Sequence, residues 1–289
     1  MKRNLVLLLL VVAVIGVAFF MTRKKEPVIS ANEVRTVVKD QIPSSPDDKA
    51  WEDVPVHPAK LIPQDMVEPR LMNPSTQQVD VRSITDGRKI AFLLEWEDNT
   101  LDNRPAAAHF SDACAIQLPA KISSDVPAPQ MGEPGKTVQI TYWSASMQAV
   151  ADGRADDIHS IYPRATIDHY PFQAPSLQKG SPEQEAMEKR YAPARAVQNP
   201  VSVPQKNPVQ DLIAEGPGTL SPAEKSVSTG SGKRTEKGWR VLITRPVPEG
   251  LSPSVSGEVA FAVWQGSKEE VGSRKMRSVW IPFVMEAKK

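Results

Sequence analysis

Val79–Asp98 reads VDVRSITDGRKIAFLLEWED, two apolar runs joined by Asp86-Gly87. Side chains alternate across a strand, so Ile90, Phe92, Leu94 and Trp96 fall on one face and Ala91, Leu93 and Glu95 on the other. Asp-Gly is a tight-turn dipeptide, and Val79–Ile84 with Lys89–Trp96 is predicted to form a hairpin. Ala113–Leu118, Val138–Trp143 and Trp239–Thr244 are further short strands, separated by proline-rich breaks. Helical periodicity is scarce, and Glu183–Tyr191 is the best short helix. The fold class this predicts is mainly β: an antiparallel β-sandwich with long loops and a few short helices.

The same reading extends to Gly257–Val284, GEVAFAVWQGSKEEVGSRKMRSVWIPFV. Strand-like runs Val259–Trp264 and Val279–Val284 flank a charged connector. Lys275 stands just before the second run, where strand geometry can aim a side chain inward. Lysines are rarely buried, so solvated loop charges at Lys268, Arg274, Lys275 and Arg277 are the competing reading.

The chain has 289 residues, 40% of them hydrophobic, and a net charge of +1. That composition supports a folded bulk and gives no sign of a nucleic-acid partner. With 27 prolines against 15 glycines, long ordered loops are favoured over a helical bundle. The single cysteine, Cys114, excludes an internal disulfide, a CxxCH haem attachment and a cysteine-ligated cluster. It sits in an apolar strand and reads as a small buried hydrophobe. Four scattered histidines lack metal-ligand spacing.

Leu5–Met21 is an apolar run of seventeen residues between Lys2-Arg3 and Arg23-Lys24-Lys25. As a helix it would span roughly 25 Å, near the ~30 Å of a bilayer core. It is longer than the usual ~7–15-residue core of a signal peptide. Residues 1–25 are therefore read as an uncleaved transmembrane anchor ahead of a cleaved signal peptide, with the rest exported to a bacterial periplasm. Residues 26–46 read as a tether, 47–289 as the domain, and about 153–237 as a long loop insertion.

No nucleophile–base pair, phosphate loop or dinucleotide fingerprint is present. Glu95, Glu97, Asp98 and Asp102 cluster at one strand end. A solvated loop accounts for them as well as calcium binding or acid–base chemistry does. Pro127–Trp143, PAPQMGEPGKTVQITYW, is more distinctive. Turn residues Gly132, Pro134 and Gly135 place Met131 at a loop tip before a strand carrying Tyr142 and Trp143. A thioether is a soft ligand suited to haem iron, although methionine more commonly packs as a hydrophobe.

Six blocks in order carry a resemblance: DGRKIAFLLEWED (Asp86–Asp98), FSDACAIQLP (Phe110–Pro119), QMGEPGKTVQITYW (Gln130–Trp143), NPVS with PVQDLIAEGPGTL (Asn199–Ser202, Pro208–Leu220), GWRVLITRPV (Gly238–Val247) and VAFAVWQGSKEEVGSRKMRSVW (Val259–Trp280). Together they resemble the haem b (gamma) subunits of type II dimethylsulfoxide-reductase-family molybdoenzymes. These serve ethylbenzene and dimethylsulfide dehydrogenases, selenate and chlorate reductases, and nitrite oxidoreductases. The tail blocks resemble most the nitrite-oxidoreductase or nitrate-reductase-like branch.

The resemblance implies heme b held by Met131 and Lys275, with Lys268 and Met276 as rival ligands. Tyr142, Trp143, Phe261 and Trp264 would line the pocket, a role that ordinary core packing explains equally well. An amine ligates only when neutral, so the lysine pKa must fall below its usual ~10.4. The implied partners are a molybdopterin catalytic alpha subunit, an iron–sulfur beta subunit, and cytochrome c or quinone as redox partner. The implied role is electron transfer, with the membrane engaged through the N-terminal helix. The alternative is a membrane-anchored carbohydrate-binding or docking module without haem, in which Trp51, Trp96 and Trp143 form an aromatic platform.

Overall fold

The computed structural model describes residues 28–155, 161–165, 180–191 and 206–286. The anchor expected at Leu5–Met21 lies outside the described residues. Among those described, no helix is long and apolar enough to cross a membrane.

The predicted hairpin is present as β4 (Gln78–Thr85) and β5 (Lys89–Glu97), paired antiparallel from Asp80↔Glu95 to Thr85↔Ile90. The Asp86 carboxylate accepts the Arg88 and Lys89 amides across the turn, the local bonding that makes Asp-Gly a reversal signal. Around this pair the described strands form one continuous sheet of fourteen. Its first layer runs from β10 (Thr229–Arg234) through β11 (Gly238–Pro246), β5, β4 and β1 (Val34–Val38) to β14 (Ile281–Met285). Its second runs from β12 (Gly257–Trp264) through β6 (Ala113–Pro119), β7 (Val138–Ser144) and β8 (Val209–Ala214) to β9 (Ser221–Pro222). Short strands β2 (His57–Lys60), β3 (Ile62–Pro63) and β13 (Met276–Arg277) pair at the sides.

One strand joins the layers. Gly257–Val259 of β12 pairs with β14, and Ala260–Trp264 pairs with β6. The inner faces then meet in a single core that contains Ile90, Phe92, Leu94 and Trp96 with Cys114, Ile116, Leu118, Phe261 and Val263. Phe92 contacts Phe261 edge-on at 6.3 Å, and Trp143 lies 5.0 Å from Trp239 and 6.2 Å from Trp96. Burial of this apolar surface is the main force holding the layers together. Cys114 is free and fully enclosed, and burial pushes its thiol well above the usual range, as expected of a buried small hydrophobe. The expected second face of β5 also holds: Ala91 and Leu93 pack outward under Trp51 and Val54 of the N-terminal segment.

Three expectations change. The tether boundary moves, because β1 lies within the stretch read as linker and is fully incorporated between β4 and β14. Its pairing with both is parallel, so the sheet is not wholly antiparallel. The stretch read as a loop at 153–237 supplies β8, β9, β10 and a helix, Pro182–Tyr191. That helix matches the one predicted at Glu183–Tyr191. The other described α-helix is Ala145–Ala151, capped by the Ser144 hydroxyl, which accepts the Met147 amide.

Candidate functional site on the outer face of the second layer

The register of the second layer sorts the sequence candidates by face. On β12, Val259, Phe261 and Val263 point into the core. Ala260, Ala262 and Trp264 therefore point outward. On β7, Trp143 points inward and Tyr142 outward. Phe261 and Trp143 consequently belong to the interlayer core, with Trp143 at 0% exposure, and do not line a site beside Met131. Tyr142 and Trp264 do share the outer face, edge-to-face at 5.5 Å.

Ala262, Ala115 and Tyr142 lie in one cross-strand row, and Trp264 and Ala113 in the next. The small alanines make a shallow floor. Ile140, Leu212, Tyr142, Trp264, Trp280 and Met131 pack around it.

Met131 comes to this face on a loop fixed from several sides. Gln117 Nε2 donates to Pro129 O at 2.9 Å, and Trp280 Nε1 to Pro127 O at 2.7 Å. The Gly216 amide donates to Met131 O at 2.8 Å. Met131 itself adopts a left-handed φ of 68°, rare for a side chain larger than glycine. Gly132 follows at φ 83°, and a Cβ there would meet Lys136 O at 2.7 Å. Gly132 is thus a backbone requirement, forced by both φ and space, whereas Met131 holds its conformation at a cost.

Lys275 arrives from the opposite side, immediately before β13. The Gln64 amide donates to Lys275 O at 2.9 Å, and Gln64 Nε2 donates to Ser273 O. Trp264 Nε1 donates to Gly272 O. Lys275 Nζ lies 3.9 Å from Met131 Sδ and 5.1 Å from the Trp264 ring centre. Among the described residues no carboxylate pairs with this amine. Burial, and next the charge of Arg277, push its pKa down to about 8. Burial also pushes the Tyr142 phenol up to about 12, so it remains a neutral donor.

The rivals separate cleanly. Met276 is fully buried in the core on the other face of β13, and Lys268 is exposed on a 3-10 turn beside Glu270. At the far strand end, Glu95 pairs with Arg82 and Arg240, and Asp98 caps Thr100. Among the described residues, no group of three or more His, Cys, Asp or Glu is placed to hold a metal ion. The aromatic platform of the alternative reading is absent: Trp51, Trp96 and Trp143 are all buried, at 2%, 5% and 0% exposure.

Sequence reasoning missed Trp280, which clamps the methionine loop, and Arg277, two residues beyond Lys275. Period-two alternation held a signal for Arg277, since it must share a face with Lys275. The same alternation sets Tyr142 and Trp143, both expected to line the pocket, on opposite faces of β7.

By fold and donor set, the class is a two-layered β protein that presents a thioether and a depressed-pKa amine together on one outer face. The chain belongs to the ethylbenzene dehydrogenase family, whose family model matches residues 48–276. A Haloferax mediterranei protein named "Putative respiratory nitrate reductase heme subunit ORF7" is 23% identical over 262 residues, covering 88% of this chain and 73% of that protein. Among solved structures, a family 9 carbohydrate-binding module from Caldicellulosiruptor kristjanssonii in complex with glucose aligns at TM-score 0.43 and 8% identity, over 88% of this chain and 97% of its own. The same module with cellotriose aligns at TM-score 0.40 and 7% identity, over 89% and 94%.

Proposed function

We propose that the chain is an electron-transfer subunit holding one heme b between Met131 and Lys275. The observation that carries this reading is the 3.9 Å approach of Lys275 Nζ to Met131 Sδ in a setting that disfavours the ammonium form. Both donors are neutral when ligating, and the side chains that pack on the alanine floor beside them are apolar or aromatic. The family membership and the name of the haloarchaeal relative support the same reading.

When bound, a haem supplies a one-electron couple. The protein's part would be to present the two donors, to lower the cost of deprotonating the Lys275 amine, whose pKa burial brings down to about 8, and to exclude water through Trp264, Tyr142 and Trp280. The bonds from Gln117, Gly216 and Trp280 to the carbonyls of Pro129, Met131 and Pro127 would fix the loop that presents the thioether. The electron partners we propose are an iron–sulfur beta subunit of a molybdopterin enzyme on one side, and cytochrome c or quinone on the other. We further propose a periplasmic location, with Leu5–Met21 as the membrane anchor.

Lys275→Ala and Met131→Ala test the assignment. Each variant is expected to lose haem or change its spectrum, while circular dichroism retains the β signature. Wild-type spectra and potentials in both would refute the ligand pair.

A further inference from the structure

The β12–β13 register places Arg277 opposite Ala262. Directly opposed residues share a face, and so do residues two apart on one strand. Arg277 therefore stands on the same outer face as Lys275, Ala262 and Trp264. It is 9% exposed, and its Nε and Nη1 have no hydrogen-bond partner. Among the described residues, Arg277 is the one arginine with two enclosed guanidinium nitrogens that lack a hydrogen-bond partner. Its ion-pair contact is Nη2 to the Asp65 carboxylate at 3.8 Å, beyond hydrogen-bond length, and that carboxylate is 69% exposed.

A guanidinium remains charged at any pH a protein survives. Burying one with two idle donors is costly unless an anion completes it. Lys275, two residues away, adds no negative charge. Asp65 reaches only Nη2, so this face has a place for a further carboxylate at Nε and Nη1.

We propose that Arg277 binds a carboxylate of the haem, one of the two propionates at the edge of the macrocycle, and so fixes the rotation of the ring about the Met131–Lys275 pair. This rests on the haem reading above and adds an anion site to it. Arg277 is here a cofactor-binding residue, distinct from the axial donors.

The test is an absorbance titration of the full chain, stripped of haem, with iron protoporphyrin IX and with its dimethyl ester. The ester keeps the iron and the ring and removes both negative charges. A charge-assisted hydrogen bond predicts that the wild type binds the ester about ten- to a hundredfold more weakly than the free acid. Arg277→Gln is expected to bind both porphyrins alike, near the wild-type ester value, and Arg277→Lys to recover part of the preference. Comparing the two ligands across the variants cancels the general difference in porphyrin solubility. Equal wild-type affinity for acid and ester would overturn the proposal without a variant having to fold. The same discrimination in Arg277→Gln as in the wild type would overturn it as well. Free-acid uptake with spectra that depend on Met131 and Lys275 leaves the haem reading standing in either case, whereas uptake of neither porphyrin defeats that reading and this one together.

Discussion

Met131 carries two burdens at one position. Its side chain is the thioether of the site, and its backbone is left-handed at φ 68°. An L-residue with a Cβ pays roughly 1–2 kcal/mol for that conformation, and glycine does not. Met131→Gly is therefore expected to be more stable to urea than Met131→Ala by about 1 kcal/mol, although both lack the sulfur. Equal midpoints would mean that the loop relaxes out of the left-handed region once the methionine is gone. In isolation, neither Met131 nor Lys275 could be told from ordinary residues: methionines pack and lysines solvate. What brings them within 3.9 Å is a contact between positions 144 residues apart, and no local pattern encodes it. The resemblance supplied the pair. The geometry adds that no carboxylate among the described residues pairs with the amine and that burial lowers its pKa.

At the level of strands, alternation was legible wherever both faces of a strand differ in chemistry. Lys89–Glu97 divides its residues between the core and the outer N-terminal packing as its sequence implies. β1 and β10 were hidden for different reasons. β1 is five residues in a polar stretch, and its parallel partners come from Thr36↔Ser83 and Val34↔Phe283, far along the chain. β10 reads TGSGKR and carries no apolar residue. It belongs to the sheet because it pairs with β11 along its whole length, and because its glycines leave room for the opposite layer. A Cβ on Gly232 would lie 2.2 Å from Trp143 Cζ2, and one on Gly230 would lie 2.4 Å from Val209 Cγ1. Gly232→Ala is thus expected to destabilise the fold by about 1–3 kcal/mol through overpacking against the tryptophan cluster. Chemical denaturation followed by tryptophan fluorescence measures it. An unchanged midpoint would show that the Trp143 ring has space to move aside.

Across the whole molecule, one end of the sandwich is tied by a buried carboxylate. Asp112 Oδ2 accepts the Asp102 amide at 2.9 Å and Trp239 Nε1 at 3.0 Å, and Oδ1 accepts the Gly266 amide at 2.9 Å. These bonds join the β5–β6 connection, β11 and the segment after β12. Burial, opposed by those donors and assisted by the charge of Asp98, raises the Asp112 pKa from 3.8 to about 7. Between those values the native state keeps a proton that the unfolded chain releases. The contribution of Asp112 to stability is therefore full below about pH 4 and is lost as pH rises to about 7. Melting temperatures measured from pH 5 to pH 7.5 should decline more steeply in the wild type than in Asp112→Asn, which cannot titrate. Parallel slopes would place the proton elsewhere.

The two-layered organisation explains why a site can sit outside the core without weakening it. The interlayer face is filled by Phe92, Trp143, Phe261 and Trp239, and the outer face of the second layer is left to Met131, Lys275, Tyr142 and Trp264. The central claim is that this outer face holds a haem for electron transfer. The most direct test is a dithionite-reduced minus oxidised absorbance spectrum of the purified full-length protein, with a pyridine assay of haem type. The account predicts a b-type signal at about one haem per chain. A protein that carries no haem after expression with ample haem and with the partner subunits would contradict it.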